Sequence, residues 1–278
     1  MIKVTKASGE TEVFDSQKLE RSLRNAGAAE ELIQAIVADI LDWIFEGVTT
    51  KKIYARAFSL LRRKKTVAAM RYKLKQAIME MGPTGYPFEY LIGRVFEKQG
   101  YSVLVGQVID GHCVTHEMDV IATGKGEQCL VECKYRQDQG NQVSVQTPLY
   151  VRSRVDDIIR KRMTMPEYQG LKFSGWVVTN TRFSLDSMQY GKCSGLNLIA
   201  WDYPAGNGLK DLIEREKIYP ITLLQQLTKK EKQELLDQGI VTCSQLIEKK
   251  DILSTLNIPE RRFKILINEL ESICKITI

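Results

Sequence analysis

Histidine is almost missing from this chain: His112 and His116 are the only two in 278 residues. They lie near Cys113, Cys129 and Cys133, but no C-x-x-C pair accompanies the H-x-x-x-H spacing of His112 and His116, so a zinc centre is not expected. His116 stands three residues before Asp119 and either lines a polar site or is an ordinary surface or core histidine. The six cysteines sit mainly in apolar runs, as small buried residues do, and disulfides are not expected. No uninterrupted apolar run approaches the length that spans a bilayer, and MIKVTKASGE lacks the apolar stretch of a secretory signal. A soluble cytoplasmic protein is therefore expected. No G-x-x-x-x-G-K-[ST] occurs, which excludes the P-loop route to nucleotide hydrolysis.

What is present is enough chain for two or three domains, with 44% hydrophobic and 27% charged residues and no low-complexity tract. Lys+Arg against Asp+Glu run 15 to 10 over residues 1–85, 13 to 13 over 86–205 and 12 to 11 over 206–278, so the net charge of +6 is almost all N-terminal. A modest positive balance suits a phosphate-bearing partner without specifying one.

The chain is organised around His112 to Arg136, which reads HCVTHEMDVIATGKGEQCLVECKYR. Side chains two apart on a strand share a face, so Glu132 and Lys134 point one way while Cys133 turns into the packing behind. Burying both charges without partners would cost several kcal/mol. Asp119 lies in the short β-rich run MDVIA, and the glycines of TGKGEQ suit a tight turn, so a hairpin places Asp119 beside Glu132. Two carboxylates and a lysine form an oxygen-lined site of the kind Mg²⁺ or Mn²⁺ prefers, suited to phosphodiester hydrolysis. The competing reading is a structural ion pair on adjacent strands.

Upstream, Phe88, Leu91, Ile92, Val95 and Phe96 recur at i, i+3, i+4, i+7 and i+8, one apolar helical stripe with Gly100 beyond its end and Glu89 at its edge. A helix carrying a Glu, a strand carrying Asp and a strand carrying Glu-x-Lys resembles the PD-(D/E)xK nuclease superfamily, in particular its Mrr-like restriction endonuclease branch, over Tyr86 to Pro204. The resemblance implies metal ligation by Asp119 and Glu132, an accessory acid at Glu89 and a catalytic Lys134. Many Mrr-like proteins carry Gln where this chain has Glu132, and Glu fits the broader superfamily.

Residues 2–14 alternate as a hairpin around ASGE, and Asp15 or Ser16 caps a helix with Leu19, Leu23 and Ala26. A second helix carries Ile33, Ile36, Val37, Ile40, Leu41 and Ile44, closed by Gly47. A third, capped by Thr49 or Thr50, carries Ile53, Ala57, Leu60 and Leu61, and a fourth places Met70, Leu74, Ala77, Ile78 and Met81 on one face. This order, with V-T-K-x-x-G-E-x-E-x-F-D-x-x-K at Val4 to Lys18, resembles the ATP-cone, a nucleotide-sensing module, over about residues 2–82. The resemblance implies an adenine nucleotide, ATP or dATP, near Val4, Lys6, Glu12, Asp15 and Lys18, with Thr50, Tyr54 and a basic residue such as Arg71 or Lys73 close by. Where the family has a second basic residue after its first lysine, this chain has Ala7. Arg62, Arg63, Lys64 and Lys65 form a charge run that is either a solvated helix end or a contact for nucleotide or DNA.

After the polar loop RQDQGNQ, a helix is expected with Val151, Val155, Ile158, Ile159 and Met163 inward. Arg152, Arg154, Arg160, Lys161 and Arg162 would lie on its outer faces, where on a nuclease they could grip backbone phosphates. FSGWVVTNT and LNLIAWDYP read as two more strands with a helix start between them, and Ala205 to Tyr219 reads as a linker. The remaining residues pack short helices, with Gly239 as a C-cap and Thr242 to Gln245 as a capping box. They resemble SAM-like helix-hairpin-helix modules that bind DNA backbones, although the usual Gly-x-Gly is replaced; partner binding or self-association is the alternative.

The expected architecture is an α/β restriction-endonuclease-like core (86–205) between a mostly helical ATP-cone (1–85) and a small all-α domain (206–278). The expected function is a Mg²⁺- or Mn²⁺-dependent DNA endonuclease regulated by adenine nucleotide and acting as a homodimer or higher oligomer, since one site cuts one strand. The alternative is a non-catalytic nucleotide-sensing or DNA-binding adaptor on a nuclease scaffold.

Overall fold

The structure is a computed structural model that describes residues 2–6, 9–63, 67–138 and 140–274. Ala7, Lys64 and Lys65, and the side chains of Arg62, Met70 and Arg71, lie outside the described set.

The chain opens with β1 (Lys3–Thr5) paired antiparallel with β2 (Thr11–Val13), Val4 opposite Glu12. The Asp15 carboxylate accepts the backbone N–H of Gln17 at 2.9 Å and starts α1 (Ser16–Asn25), which satisfies one of the orphan donors of a helix start. Then follow α2 (Glu30–Trp43), α3 (Thr50–Arg63), α4 (Val67–Tyr72) and α5 (Leu74–Met79). Val4, Leu23, Ile33, Ile36, Ile40, Ala57 and Leu61 meet in one apolar core. Leu41 departs from the expected α2 stripe and is 52% exposed. At about 100° per residue it stands roughly 80° round the helix from Ile33, past the edge of the buried face.

The fourth expected helix is two. Ala68, Ala69 and Tyr72 on α4 close the core of the first helices, whereas Leu74, Ala77, Ile78 and Met81 join a different core. A straight helix presents one continuous stripe; the break at Lys73 lets consecutive turns face two bodies of packing.

The second body is built on α6 (Tyr86–Lys98), β3 (Ser102–Asp110), β4 (Thr115–Gly124), β5 (Glu127–Lys134), β6 (Gln142–Val143), α7 (Gln146–Arg162), β7 (Lys172–Thr179), β8 (Arg182–Phe183), α8 (Leu185–Ser194) and β9 (Asn197–Ile199). The main sheet runs β3-β4-β5-β7-β9, antiparallel from β3 to β5 and parallel from β5 to β9. Helices cover both faces: α6 packs with Val120, Ala122, Cys129 and Val131, while Val151, Val155 and Ile158 of α7 pack with Ile121, Leu130 and Val177. Strand β3 was not among the sequence expectations. The β4–β5 turn was, and Lys125 (φ 54°) and Gly126 (φ 74°) give it the two left-handed residues of a two-residue hairpin.

Gly175 on β7 lets α7 sit close to the sheet: an added Cβ would lie 2.6 Å from Leu196 Cδ2 and 3.1 Å from Val155 Cγ2. Gly175→Ala is expected to destabilise the protein by about 1–3 kcal/mol, as overpacking does, measurable by urea denaturation. An unchanged midpoint would show that α7 is free to shift outward.

The expected linker contains α9 (Leu209–Arg215), with Leu209, Leu212 and Ile213 buried. Its glycines and charges flank an apolar i, i+3, i+4 set too short to stand out by period. Beyond it come α10 (Lys229–Asp237), α11 (Cys243–Glu248) and α12 (Glu260–Cys274). Thr228 with Glu231 and Thr242 with Gln245 form capping boxes, and Gly239 is left-handed at φ 73°. These helices share their apolar core with α5 and α6, and Thr222 Oγ1 donates to the carbonyl of Ala77 at 2.6 Å. The apolar packing therefore divides between Tyr72 and Leu74. Among the described residues, no helix is long and apolar enough to cross a membrane.

Candidate active site

The β4–β5 ladder ends at Val120 opposite Val131. One step further along that register Asp119 faces Glu132, and the strands no longer exchange backbone hydrogen bonds; instead the Asp119 Oδ2 accepts the N–H of Cys133 at 2.6 Å. A side-chain carboxylate thus takes the place of a strand carbonyl, which holds Asp119 in the gap between the strands. The sequence expectation that a hairpin brings Asp119 next to Glu132 and sets Cys133 behind them matches this arrangement.

Glu132 is 4% exposed and lies between two cations. Lys134 Nζ donates to its Oε1, and Arg154 Nη1 donates to its Oε2 at 2.6 Å. Arg154 also donates to the carbonyl of Glu117 and lies 5.1 Å from the Tyr150 ring. Lys134 is fixed from behind, since its own carbonyl accepts from Thr179 Oγ1 at 2.7 Å. The next turn is clamped by the buried Asn180, which accepts from the N–H of Arg136 at 2.8 Å and donates to its carbonyl at 2.7 Å.

Glu89 stands in the first turn of α6 and is half-buried. Burial pushes its carboxyl up to about 7, helped by the negative charges of Asp119, Glu117 and Glu132, with Lys134 opposing. Burial likewise pushes Asp119 up to about 6, reinforced by the Glu132 charge and opposed by the Cys133 N–H, Lys134 and Arg154. Glu89, Asp119, Glu132 and Lys134 are therefore brought into one electrostatic neighbourhood. Arg154, which the sequence reading set outside, is its fifth member.

That placement of Arg154 is a correction to the expected face of α7. Arg154 and Arg162 are buried at 9% and 5% exposure, while Met163, expected inward, is 72% exposed. Val151, Arg154, Val155, Ile158 and Arg162 form the inward i, i+3, i+4, i+7 and i+11 stripe. A guanidinium is tolerated there because Glu132 pairs it, and Arg162 lies 4.8 Å from the Tyr168 ring. Arg152 is tied to Asp156 and the Ser194 carbonyl. Of the expected phosphate-gripping set, Arg160 is exposed and Lys161 partly so, while the other three are paired or buried, a much smaller cationic face than the sequence suggested.

His116 belongs elsewhere. Its Nε2 lies 2.8 Å from Asp157 Oδ2, and Asp157 also accepts the N–H of Cys113 at 2.9 Å, fastening the β3–β4 loop to α7. These hydrogen bonds, His116 first, hold the Asp157 carboxyl below the usual range.

The raised carboxyls set a sign for stability against pH. A carboxyl whose folded value lies above its unfolded one stabilises the fold below the unfolded value and loses that contribution as pH rises through the folded one. For Glu89 and Asp119 the loss falls between about pH 4 and 7. The melting temperature without divalent metal is expected to rise as pH is lowered from 8 to 5, and Glu89→Gln should flatten that slope. A flat profile in the wild type would contradict the shifts.

Among the described residues no three His, Cys, Asp or Glu side chains come together as a ready ligand set. Asp119 and Glu132 could supply two, a number that would suit an ion such as Mg²⁺, which keeps several waters. The fit rests on the donor set: the Asp119 and Glu132 carboxylates lie side by side where the β4–β5 ladder ends, with Glu89 near them.

In the N-terminal bundle, Lys6 Nζ and Lys18 Nζ both lie 3.0 Å from Glu12 Oε2, which brings three of the expected nucleotide residues together. Val4 is buried in the core and Asp15 caps α1. Thr50 begins α3, and Tyr54 pairs with Ser22 at 3.0 Å and stacks on Tyr72 with centroids 4.7 Å apart. The Nζ of Lys73 sits 4.3 Å from the Phe58 ring.

Fold and site define a mixed α/β protein with a carboxylate-and-lysine centre at a strand fork. An uncharacterized protein of Archaeoglobus fulgidus is 31% identical over 160 residues, covering 56% of this chain and 83% of that protein. The chain belongs to the family of that archaeal protein. Residues 219–274 match the family model described as AF1548-like, C-terminal. The crystal structure of the protein of unknown function AF1548 is similar at 26% identity and a TM-score of 0.57, covering 70% of this chain and all of that one (100%). A looser likeness, at 17% identity and a TM-score of 0.37, covers 62% of this chain and 36% of the MspJI restriction endonuclease, solved in complex with a 27-mer oligonucleotide. At that level it carries no weight for function.

Proposed function

We propose that this protein is a metal-dependent DNA endonuclease whose activity is regulated by an adenine nucleotide bound to the N-terminal bundle. The observation that carries the reading is the fork between β4 and β5, where Asp119, Glu132 and Lys134 converge beneath Glu89 and the acids exceed what the nearby cations neutralise. A structural ion pair needs two partners; this centre holds two half-buried carboxyls at raised values, an arrangement that costs stability and is characteristic of functional sites.

Asp119 and Glu132 would hold Mg²⁺ or Mn²⁺, and the ion would supply Lewis-acid polarisation of a phosphoryl oxygen and a more acidic water. Lys134 orients the attacking water and offers positive charge to the phosphate as negative charge develops. Glu89 orders the solvent on the α6 side. Arg154 holds Glu132 in the row by donating to its Oε2. Lys6, Glu12 and Lys18 form the charged cluster of the bundle from which nucleotide binding is read.

Plasmid DNA incubated with Mg²⁺ or Mn²⁺, with and without ATP or dATP, tests the reading beside Lys134→Ala. Cleavage by the wild type, changed by nucleotide and lost in the variant, is the expected result. Nucleotide binding with no cleavage on methylated and unmethylated DNA alike would favour the adaptor on a nuclease scaffold.

A further inference from the structure

Between the N-terminal bundle and the sheet domain lies a cavity of about 370 Å³, a volume in the range of small-ligand sites. It straddles the point where the apolar packing divides, with Tyr72 on one side of Lys73 and Leu74 on the other. Four cations line it: Lys18 and Arg21 from α1, Lys75 from α5 and Lys210 from α9. Asp202 and Glu214 also face it, so the lining carries two more positive than negative side chains, four against two.

Lys75 is half-buried with its Nζ 5.7 Å from the Trp201 ring centroid, and among the described residues no carboxylate lies within ion-pair distance of it. Burial pulls its ammonium below the usual range, with Asp202 opposing the shift. Tyr72 is 6% exposed, lines the same cavity and leaves its hydroxyl without a hydrogen-bond partner among the described residues. A buried hydroxyl without a partner disfavours the empty cavity, so a polar ligand would satisfy both groups. The aromatic faces of Tyr54 and Trp201 at the cavity offer a planar ring a surface. Cations suit phosphate, and aromatic faces suit a base.

We propose that this cavity is a nucleoside-phosphate site shared by the two bodies, in which Lys75, Lys210 and Trp201 of the sheet side complete the contacts begun by Lys18, Arg21 and Tyr54. The proposal rests on the nucleotide reading given above and adds that the ligand bridges the bundle to the nuclease core. Phosphates lie among the four cations, and the base lies against Trp201. Because α9 follows directly from the segment that carries Trp201, and α5 shares its apolar core with α6, the helix that carries Glu89, occupancy fixes the bundle against the elements that support the carboxylate centre. Regulation is then a change in the relative placement of two packed bodies.

Titration of the full chain with ATP and with inorganic triphosphate, followed by tryptophan fluorescence and by calorimetry, tests this. The expected results are a fluorescence change that is lost in Trp201→Phe, ATP binding at least about tenfold tighter than triphosphate, and ATP binding at least about tenfold weaker in Lys75→Gln/Lys210→Gln, about 1.4 kcal/mol. The thermal midpoint of the unliganded double variant checks that it is folded. If ATP binds the wild type and the folded double variant equally, while Lys6→Gln weakens it, the nucleotide reading stands and the shared site is wrong. If triphosphate binds as tightly as ATP, with no Trp201 signal, stacking on Trp201 is refuted. If no nucleotide binds the wild type at all, both readings fail.

Discussion

Asp119→Asn is expected to lower DNA cleavage by more than about a hundredfold, the scale on which metal sites lose function when their ligands and supports are altered, while leaving the melting temperature at pH 7.5 unchanged or raised. The two effects have separate causes. Asn keeps an oxygen able to accept the Cys133 N–H, so the local hydrogen bond of 2.6 Å survives. What disappears is a carboxylate that burial and the Glu132 charge push up to about 6. Removing a charge that the fold disfavours relieves repulsion at neutral pH, and it removes the group proposed to hold the metal. A structural role predicts the opposite pairing: loss of stability with no cleavage to lose. Circular dichroism melts beside the plasmid assay distinguish the two.

Arg154→Met is expected to cost about 3 kcal/mol, the low end of the range for removing one partner of a buried ion pair. Glu132 and Arg154 have side chains 5% and 11% exposed, so solvent replaces little of what is lost. The cost stays at the low end because Lys134 still donates to the other carboxylate oxygen. Adding Glu132→Gln to Arg154→Met should recover part of that loss, since the uncompensated charge is then gone, and a denaturant double-mutant cycle measures the coupling. Additive effects would show that the two side chains do not depend on each other. Arg154→Met should also reduce cleavage, because Glu132 loses one of the two donors that fix it.

Much of the site could be read from local pattern. The apolar stripe of α6, the glycine-flanked turn after Asp119 and the Glu-x-Lys spacing each depend on residues a few positions apart, and each is found as expected. The capping boxes at Thr228 and Thr242 are equally local, although only the second was read. What escaped depends on distant partners. Arg154 occupies an inward position only because Glu132, 22 residues earlier in the chain, is there to pair it; by residue type alone an arginine on an amphipathic helix is set facing water. The division of the apolar packing at Lys73 follows from helices more than a hundred residues away, as the 145-residue separation of Ala77 and Thr222 illustrates. Strand β3 is different: its burial alternates, but Leu104 and Val108 stand on the exposed face and Gln107 on the inward one, so the run SVLVGQVID shows no apolar/polar alternation to read.

The most direct measurement is nicking of supercoiled plasmid by the wild type and Asp119→Asn side by side in Mn²⁺, with a parallel wild-type reaction in excess EDTA. The account predicts nicking by the wild type in Mn²⁺ alone. Equal nicking by the variant, or nicking that persists in EDTA, would contradict it.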